Sequence, residues 1–276
     1  MTPVCIVSGY LGAGKTTLIQ DFLQNPGPWR ACVLVNDFGK INLDAALIEK
    51  TGADTIALTN GCACCSIGDD LLAAVQKVME GPITYDLIII EASGVAQPGR
   101  LKMLVAGAAG TKPARCLTVV NMEKAASLAR DKFVGQLFKQ QTEQADALCL
   151  NRENGNRDLL PQTKLHFASL QEFLAAEETP SAGMKMEMKD GLSPLFRQEF
   201  VAFDGNMREA EFKEWSDKLP SNVHRAKGYV MLTGEDGQTM PAKVDIVQGH
   251  LNIVPIELFP ENHQSGLVVI SVSGAA

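Results

Sequence analysis

The residues with the most distinctive chemistry lie near the beginning of the chain, in the segment GYLGAGKT from Gly9 to Thr16. Its spacing matches G-x-x-x-x-G-K-[ST], in which glycines let backbone N–H groups turn inward around phosphates. In such a loop Lys15 reaches the β and γ phosphate oxygens, and the hydroxyl of Thr16 is a ligand of Mg²⁺. The segment also lies between a predicted strand and a predicted helix, as this mechanism requires. It therefore predicts a nucleotide site formed by Gly9, Gly12, Ala13, Gly14, Lys15, Thr16 and Thr17.

An acidic group at the end of a neighbouring buried strand is needed opposite this loop, to hold Mg²⁺ and its water. Glu91 ends the apolar run DLIIIE and begins the segment EASG. We expect Glu91 to be the second Mg²⁺ ligand and, with Lys15, to be a catalytic residue. The amide of Gly94 could then reach the γ-phosphate and make this segment a switch. The alternative interpretation is a carboxylate that merely leaves the sheet.

A first switch would lie after the second predicted strand, in the segment Asn36-Asp37-Phe38-Gly39. The carboxylate of Asp37 could be a ligand of Mg²⁺ or of another metal. An ordinary Asx turn at the exit of a strand is the alternative interpretation of the same residues.

Three cysteines, Cys62, Cys64 and Cys65, lie close together between a predicted strand and a helix that begins near Ser66. At a helix N-terminus the dipole favours the thiolate, which is the form of cysteine that binds metal. Because alternate residues of an extended loop point the same way, Cys62 and Cys64 can share one transition-metal ion. Cys65 joins them if the chain has already turned, and a carboxylate such as that of Asp37 could fill the remaining position. Redox-inert packing cysteines are the alternative interpretation.

A parallel sheet would position these residues. Six short β-branched runs alternate with longer amphipathic stretches over the first two-thirds of the chain: VCIVSG, ACVLVN, DTIAL, DLIIIE, RCLTVV and ADALCL. This alternation predicts an α/β fold, the P-loop NTPase parallel sheet with helices on both faces. A seventh short strand is predicted around Lys164 to Phe167.

The organisation changes near residue 178. From about Glu178 to Pro194 the sequence loses periodicity and gathers Pro, Gly and charged residues, which indicates a linker or a mobile loop. A run of predicted strands with one helix follows, which is typical of a small α+β domain with a mainly antiparallel sheet. We therefore predict a nucleotide domain at 1–178, a linker at 179–194 and a C-terminal α+β domain at 195–276.

Composition and charge argue against several classes of function. Lys and Arg total 25 against 32 Asp and Glu, so the net charge of −7 argues against a nucleic-acid partner. No apolar run approaches the roughly 20 residues that span a bilayer, and no signal peptide is recognisable, so we expect a cytoplasmic protein without a membrane partner. Four of the seven cysteines lie in or beside predicted strands and are interpreted as small core hydrophobes: Cys5, Cys32, Cys116 and Cys149.

These segments together resemble a known family. GYLGAGKTTL, NDFG, NGCACC and EASG, in this order, are similar to the CobW/HypB/UreG-type metallochaperone GTPases, and most closely to the CobW branch. RAKGYVML and the strands after it resemble the C-terminal domain of that branch. The resemblance implies that GTP is bound with Mg²⁺ and that its hydrolysis is coupled to capture or release of zinc or cobalt. It also implies that the cysteine loop lies between the nucleotide switches, so that γ-phosphate and metal bias the same moving element.

Two positions depart from the pattern of this family. The guanine-reading motif of such GTPases is Asn-Lys-x-Asp, whereas this chain has Asn151, Arg152, Glu153 and Asn154 after the strand ADALCL. An Asn in place of the Asp offers one acceptor and one donor, which predicts weakened guanine specificity, towards xanthine or towards little discrimination. The family also commonly has Glu after NDFG, where this chain has Lys40. We still expect Asn151, Arg152 and Asn154 to contact the nucleotide.

The leading interpretation is a GTPase that delivers a metal to a client protein, with a homodimer as one option for its assembly. A non-catalytic nucleotide-gated metal sensor, or a partner-binding switch with relaxed base specificity, is the second interpretation. A small-molecule kinase is the third, and it is disfavoured because the sequence has no Arg-rich lid segment.

Overall fold

The computed structural model describes residues 1–35, 54–57, 67–152, 155–176, 196–203, 205–247, 249–259 and 265–272, with the backbone alone at 54–57, 67–70 and 196–198. Over these ranges the chain divides into two compact units, Met1–Asp190 and Gly191–Ala276. The predicted linker at 179–194 lies outside the described residues, so its boundaries stay a prediction. Among the described helices, none has both the length and the apolar character that crossing a bilayer requires.

A sheet forms the centre of the first unit. The described residues of this unit contain seven strands: β1 (Val4–Ser8), β2 (Ala31–Val35), β3 (Asp54–Ala57), β4 (Leu87–Glu91), β5 (Arg115–Asn121), β6 (Ala147–Asn151) and β7 (Leu165–His166). Their order is β3-β2-β4-β1-β5-β6-β7, and each neighbouring pair is parallel. The predicted parallel sheet is thus confirmed, together with its short seventh strand.

Helices connect these strands. Within the described ranges they are α1 (Lys15–Gln24), α2 (Ile67–Glu80), α3 (Pro98–Val105), α4 (Met122–Arg130), α5 (Gly135–Gln144) and α6 (Leu170–Ala175), with a 3₁₀ turn at Arg157–Leu159. Pro98 is the first residue of α3, a position at which a backbone N–H has no partner within the helix, so proline loses nothing by lacking one. Ser169 caps α6, since its side chain accepts a hydrogen bond from the N–H of Glu172. Local sequence therefore explains where these helices begin.

Helices cover both faces of this sheet, as predicted. Residues that alternate along a strand face opposite sides of the sheet. Leu117 of β5 belongs to a buried core cluster that also contains Phe22 of α1 and Phe173 of α6. Its neighbour Thr118 faces the other side, where its hydroxyl donates to the backbone carbonyl of Gln141 in α5 at 3.0 Å.

The four strand cysteines are buried and form no disulfide bond, as predicted from their positions: Cys5, Cys32, Cys116 and Cys149. Burial raises the pKa of the Cys5 thiol above its ordinary value and that of Cys116 to about 12. A thiol that stays protonated is a poor nucleophile and a poor metal ligand. These cysteines therefore act as small core residues.

The second unit is built on an antiparallel sheet. The part of this unit that the structure describes has six strands and one helix: β8 (Phe196–Ala202), β9 (Met207–Arg208), α7 (Glu209–Asp217), β10 (Val223–Thr233), β11 (Thr239–Val247), β12 (His250–Pro255) and β13 (Gly266–Val272). The order is β12-β11-β10-β13-β8, with β9 added in parallel to β10. Phe212 of α7 packs into the core of this sheet beside Phe203 and Trp215. The predicted C-terminal α+β fold is confirmed.

Candidate nucleotide site

The predicted phosphate loop lies between the end of β1 and the start of α1. Gly9, Gly12 and Gly14 have φ angles of 136°, 73° and 104°, which residues with side chains rarely adopt. An added Cβ at Gly14 would lie only 2.6 Å from the side-chain nitrogen of Asn151. The loop conformation therefore requires glycine at these places, and loops of this kind turn their N–H groups towards a bound anion.

The side chain of Lys15 is buried against this loop, with the residue only 6% exposed. Its ammonium donates hydrogen bonds to the carbonyl oxygens of Gly9, at 2.9 Å, and Tyr10, at 3.3 Å. Burial raises the pKa of the Tyr10 phenol above its ordinary value, and the charge of Asp131 adds to this shift. The Tyr10 phenol therefore carries no charge. The ammonium of Lys15 supplies positive charge at the loop.

Thr16 and Glu91, the two predicted Mg²⁺ ligands, are in contact although 75 residues separate them in the chain. The hydroxyl of Thr16 donates a hydrogen bond of 2.6 Å to Oε1 of Glu91, a residue that is 3% exposed. The contact arises because β1 and β4 are neighbouring parallel strands, with Val7 paired to Glu91. A hydroxyl oxygen and a carboxylate oxygen are hard donors of the kind that Mg²⁺ prefers, so this pair fits the ion.

The segment after Glu91 packs against the phosphate loop. The N–H of Ala92 donates to the carbonyl of Val7 at 2.9 Å. An added Cβ at Gly94 would lie 2.8 Å from the backbone nitrogen of Leu11, so only glycine permits this approach. Gly94 therefore lies beside the loop, and its contact with a γ-phosphate stays a prediction.

Asn151 and Arg152 lie where β6 ends. The side-chain amide of Asn151 donates to the carbonyl of Ala13 at 3.1 Å, which ties this strand end to the phosphate loop. Arg152 has a positive φ of 52° and forms an ion pair of 3.2 Å with Glu123 on the surface. Asn154 lies outside the described residues, so the weakened guanine specificity stays a prediction.

Two contacts of this site do not follow from the sequence motifs. One is the tie from Asn151 to Ala13. The other involves Gln141 of α5, which donates to the carbonyl oxygens of Gly94 at 3.1 Å and Ala96 at 3.0 Å. The sequence does single out Gln141. It lies four residues after Leu137 on the buried side of α5, where an apolar residue is expected and a glutamine is unusual.

The predicted transition-metal site falls on residues outside those that the structure describes: Asp37, Cys62, Cys64 and Cys65. Elsewhere in the described part of the chain, no group of three or more His, Cys, Asp or Glu side chains could hold a metal ion. The cysteine site therefore stays a prediction from the sequence.

Known proteins share the segment that contains this nucleotide site. A family model described as the CobW/HypB/UreG nucleotide-binding domain matches residues 3–174, which is more than half of the chain. The chain belongs to the CobW/HypB/UreG family. The resemblance carried by GYLGAGKTTL, NDFG, NGCACC and EASG is thus confirmed.

Curated relatives in the CobW family match this chain over part of their own length. This chain is 41% identical over 102 residues to a zinc chaperone CobW from Sinorhizobium sp, and the match covers 35% of this chain and 29% of that protein. This chain is also 34% identical over 161 residues to zinc-regulated GTPase metalloprotein activator 1 of Schizosaccharomyces pombe. That match covers 54% of this chain and 38% of the relative. The chain thus spans about a third of the length of these relatives. A solved structure of the Zn(II)-bound YjiA GTPase from E. coli covers 99% of this chain and 94% of its own, with 16% identity and a TM-score of 0.42.

Proposed function

We propose that this CobW-family protein binds GTP with Mg²⁺, hydrolyses it to GDP and phosphate, and couples hydrolysis to the binding and delivery of a transition metal to a client protein. The observation that carries this proposal is the 2.6 Å contact between Thr16 and Glu91, beside the buried ammonium of Lys15. An anion-binding loop, a fixed cation and a pair of oxygen donors are the groups that phosphoryl transfer requires.

Each residue at the phosphate end has a role in this proposal. Lys15 exchanges its hydrogen bonds to backbone carbonyls for bonds to β and γ phosphate oxygens. Thr16 and Glu91 would hold Mg²⁺, which when bound neutralises charge on the phosphates. The amide of Gly94 binds the γ-phosphate and thereby distinguishes GTP from GDP. Attack of water on the γ-phosphorus then breaks its bond to the β-phosphate oxygen, which leaves GDP and phosphate.

The base is the second part of the proposed ligand. The bond from Asn151 to Ala13 keeps the end of β6 next to the phosphate loop, where a base attached to the bound phosphates would lie. One relative is named a GTPase, which supports guanine as the base. Discrimination against other bases is weak in this proposal, because Asn154 lacks the second acceptor that an Asp would offer to guanine.

The proposed cargo is a transition metal bound by Cys62, Cys64 and Cys65, with Asp37 as a further ligand. The names of both curated relatives refer to zinc, which favours zinc over cobalt. Because these residues lie in sequence between the phosphate loop and Glu91, γ-phosphate and metal could bias the same element. We place this activity in the cytoplasm, with the client protein as the main partner and a homodimer as one option.

Turnover tests the enzymatic part of the proposal. The purified chain with Mg²⁺ should release phosphate from GTP, and zinc or cobalt should change the rate. A chain that binds nucleotide but hydrolyses no GTP, XTP or ATP, with or without metal, would instead be a nucleotide-gated sensor.

The double variant Cys62→Ser, Cys64→Ser tests the cargo site. Tight zinc binding should be lost and nucleotide affinity largely kept, because thiolates bind zinc and serine hydroxyls do not. Thiol titration of the native, metal-free protein provides the control. The four buried cysteines should not react, and zinc should protect those that do. Unchanged zinc affinity in the double variant would contradict this assignment.

A further inference from the structure

Gln141 of α5 holds two carbonyl groups of the segment after Glu91. Its Nε2 donates to the carbonyl oxygens of Gly94 at 3.1 Å and Ala96 at 3.0 Å. The hydroxyl of Thr118 in β5 donates in turn to the backbone carbonyl of Gln141 at 3.0 Å. One side-chain amide therefore connects the predicted switch to a helix that is itself bonded to the sheet.

Packing alone does not explain a glutamine at this position. Gln141 is 1% exposed and lies on the buried stripe of α5 with Leu137 and Phe138. Burial of an amide is unfavourable unless its polar groups are hydrogen-bonded. Within the described residues Oε1 of Gln141 has no hydrogen-bond partner, whereas Nε2 bonds two carbonyls of one segment. An apolar side chain could fill the same space, but it could not make the two hydrogen bonds of Nε2.

Two further glutamines extend this contact. Oε1 of Gln140 accepts a hydrogen bond from Nε2 of Gln97 at 3.0 Å, and Oε1 of Gln144 accepts one from the N–H of Gly99 at 3.0 Å. We call Gln140, Gln141 and Gln144 the glutamine clasp. Gln141 and Gln144 bond backbone groups between the predicted switch and the first turn of α3, and Gln140 bonds the side chain of Gln97 in the same stretch.

The stretch held by the glutamine clasp also touches the phosphate loop. Gly94 approaches Leu11 so closely that a Cβ on Gly94 would lie 2.8 Å from the Leu11 nitrogen. Glycine has the freest backbone of all residues, and a hydrogen bond to the carbonyl of Gly94 limits rotation about its ψ angle, which leaves its N–H fewer orientations. Gly94 is therefore restrained from two sides, by its contact with Leu11 of the phosphate loop and by the hydrogen bond from Gln141.

We propose that Gln141 is a positioning residue for the γ-phosphate: by holding the carbonyls of Gly94 and Ala96, it keeps the amide of Gly94 where it binds the triphosphate. The inference rests on the GTPase function proposed above and names a residue that controls it. Gln141 acts through Gly94 and not by touching the nucleotide. Gln140 and Gln144 support the outer part of the same stretch.

The variant Gln141→Met tests this role, because methionine fills a similar volume and donates no hydrogen bond. Its matched control is Gln136→Met, at an exposed position of the same helix. We expect Gln141→Met to lower both the affinity for a non-hydrolysable GTP analogue and kcat about tenfold, with GDP affinity within about twofold of wild type. Gln136→Met should leave all three quantities unchanged.

Three results would overturn the proposal. Equal loss of affinity for GDP and the GTP analogue would indicate a merely structural role. Tighter binding of the analogue or faster hydrolysis would mean that the clasp holds the switch away from the γ-phosphate. No change relative to Gln136→Met would mean that the two hydrogen bonds do not matter.

A second variant covers the case in which Gln141→Met fails to fold. The double variant Gln140→Met, Gln144→Met should lower affinity for the analogue about threefold relative to GDP, and an unchanged ratio would overturn the proposal. A wild-type chain that hydrolyses no GTP would refute hydrolysis alone, because the affinity ratio does not depend on turnover. A wild-type chain that binds neither nucleotide would refute both proposals.

Discussion

The predicted phosphate end and the predicted base end of the nucleotide site are built in different ways. At the phosphate end, Lys15 and Glu91 are buried, and the hydroxyl of Thr16 bonds the carboxylate at 2.6 Å. At the base end, Asn151 is bonded to the loop, but the side chain of Arg152 is 60% exposed and its ion pair with a glutamate lies at the surface. Charged contacts are strong where water is excluded and weak where it is present.

This difference suggests that the two ends can change independently. A substitution at the phosphate end would disturb buried groups that depend on one another, as Thr16 and Glu91 do. We expect the predicted base end to tolerate substitution better, and it is where the sequence departs from the pattern of the family it resembles, with Asn154 in place of Asp. Recognition of the triphosphate and recognition of the base should therefore be separable by mutation.

The largest effect is expected from Lys15→Ala, which removes the cation of the phosphate end. Affinity for GTP and GDP should fall about 100-fold, a loss of about 3 kcal/mol, because charge-assisted hydrogen bonds to phosphate are lost. Titration with fluorescent nucleotide analogues measures the change. Lys139→Ala, at a lysine whose side chain is 63% exposed, is the matched control. Affinity within about threefold of wild type would show that the loop does not use this lysine.

Glu91→Gln should have the next largest effect. The amide keeps the size of the side chain and can still accept from Thr16, but it lacks the charge that holds a cation. We expect kcat to fall about 30-fold and half-activation to need more Mg²⁺, with nucleotide affinity in EDTA unchanged. Phosphate release measured against Mg²⁺ concentration tests this, with the exposed Glu143→Gln as the control. A normal rate of phosphate release at ordinary Mg²⁺ concentration would show that Glu91 does not hold the Mg²⁺ ion.

At the base end, Asn154→Asp should sharpen discrimination. A carboxylate accepts hydrogen bonds from N1–H and N2–H of guanine and repels the oxygen that xanthine has in place of the amino group. The preference for GTP over XTP should rise about tenfold, the worth of one charge-assisted hydrogen bond. Competition binding measures this ratio, and the neighbouring Asn156→Asp, which keeps its capping role, is the control. An unchanged ratio would mean that another residue reads the base.

The smallest effect is expected from Glu123→Gln, which breaks the surface ion pair with Arg152. The free energy of unfolding should change by less than about 0.5 kcal/mol and GTP affinity by less than about twofold, because exposed ion pairs contribute little. Chemical denaturation and nucleotide titration measure these quantities. A large loss of affinity would show that Glu123 holds Arg152 against the base, and the contrast between the two ends would then be wrong.

Much of the fold and the phosphate end could be predicted because their signals are local. The phosphate loop is one contiguous motif, and alternation of apolar strands with amphipathic helices identifies a parallel sheet without any long-range contact. Glu91 was predicted from its place at the end of a buried run, and the pairing of β1 with β4 brings it to Thr16. The transition-metal ligands, by contrast, stay a prediction, because they lie outside the described residues.

The family, the parallel sheet, the phosphate loop and the acidic residue opposite it can all be inferred from the order of the amino acids. Two other contacts are visible only in the folded chain: Asn151 bonds Ala13, across 138 residues, and Gln141 bonds Gly94, across 47. Periodicity can mark Gln141 as buried, but it cannot name the partner of a buried amide. That partner depends on strand order and on which helix packs beside the switch, and both are set by contacts between distant parts of the chain.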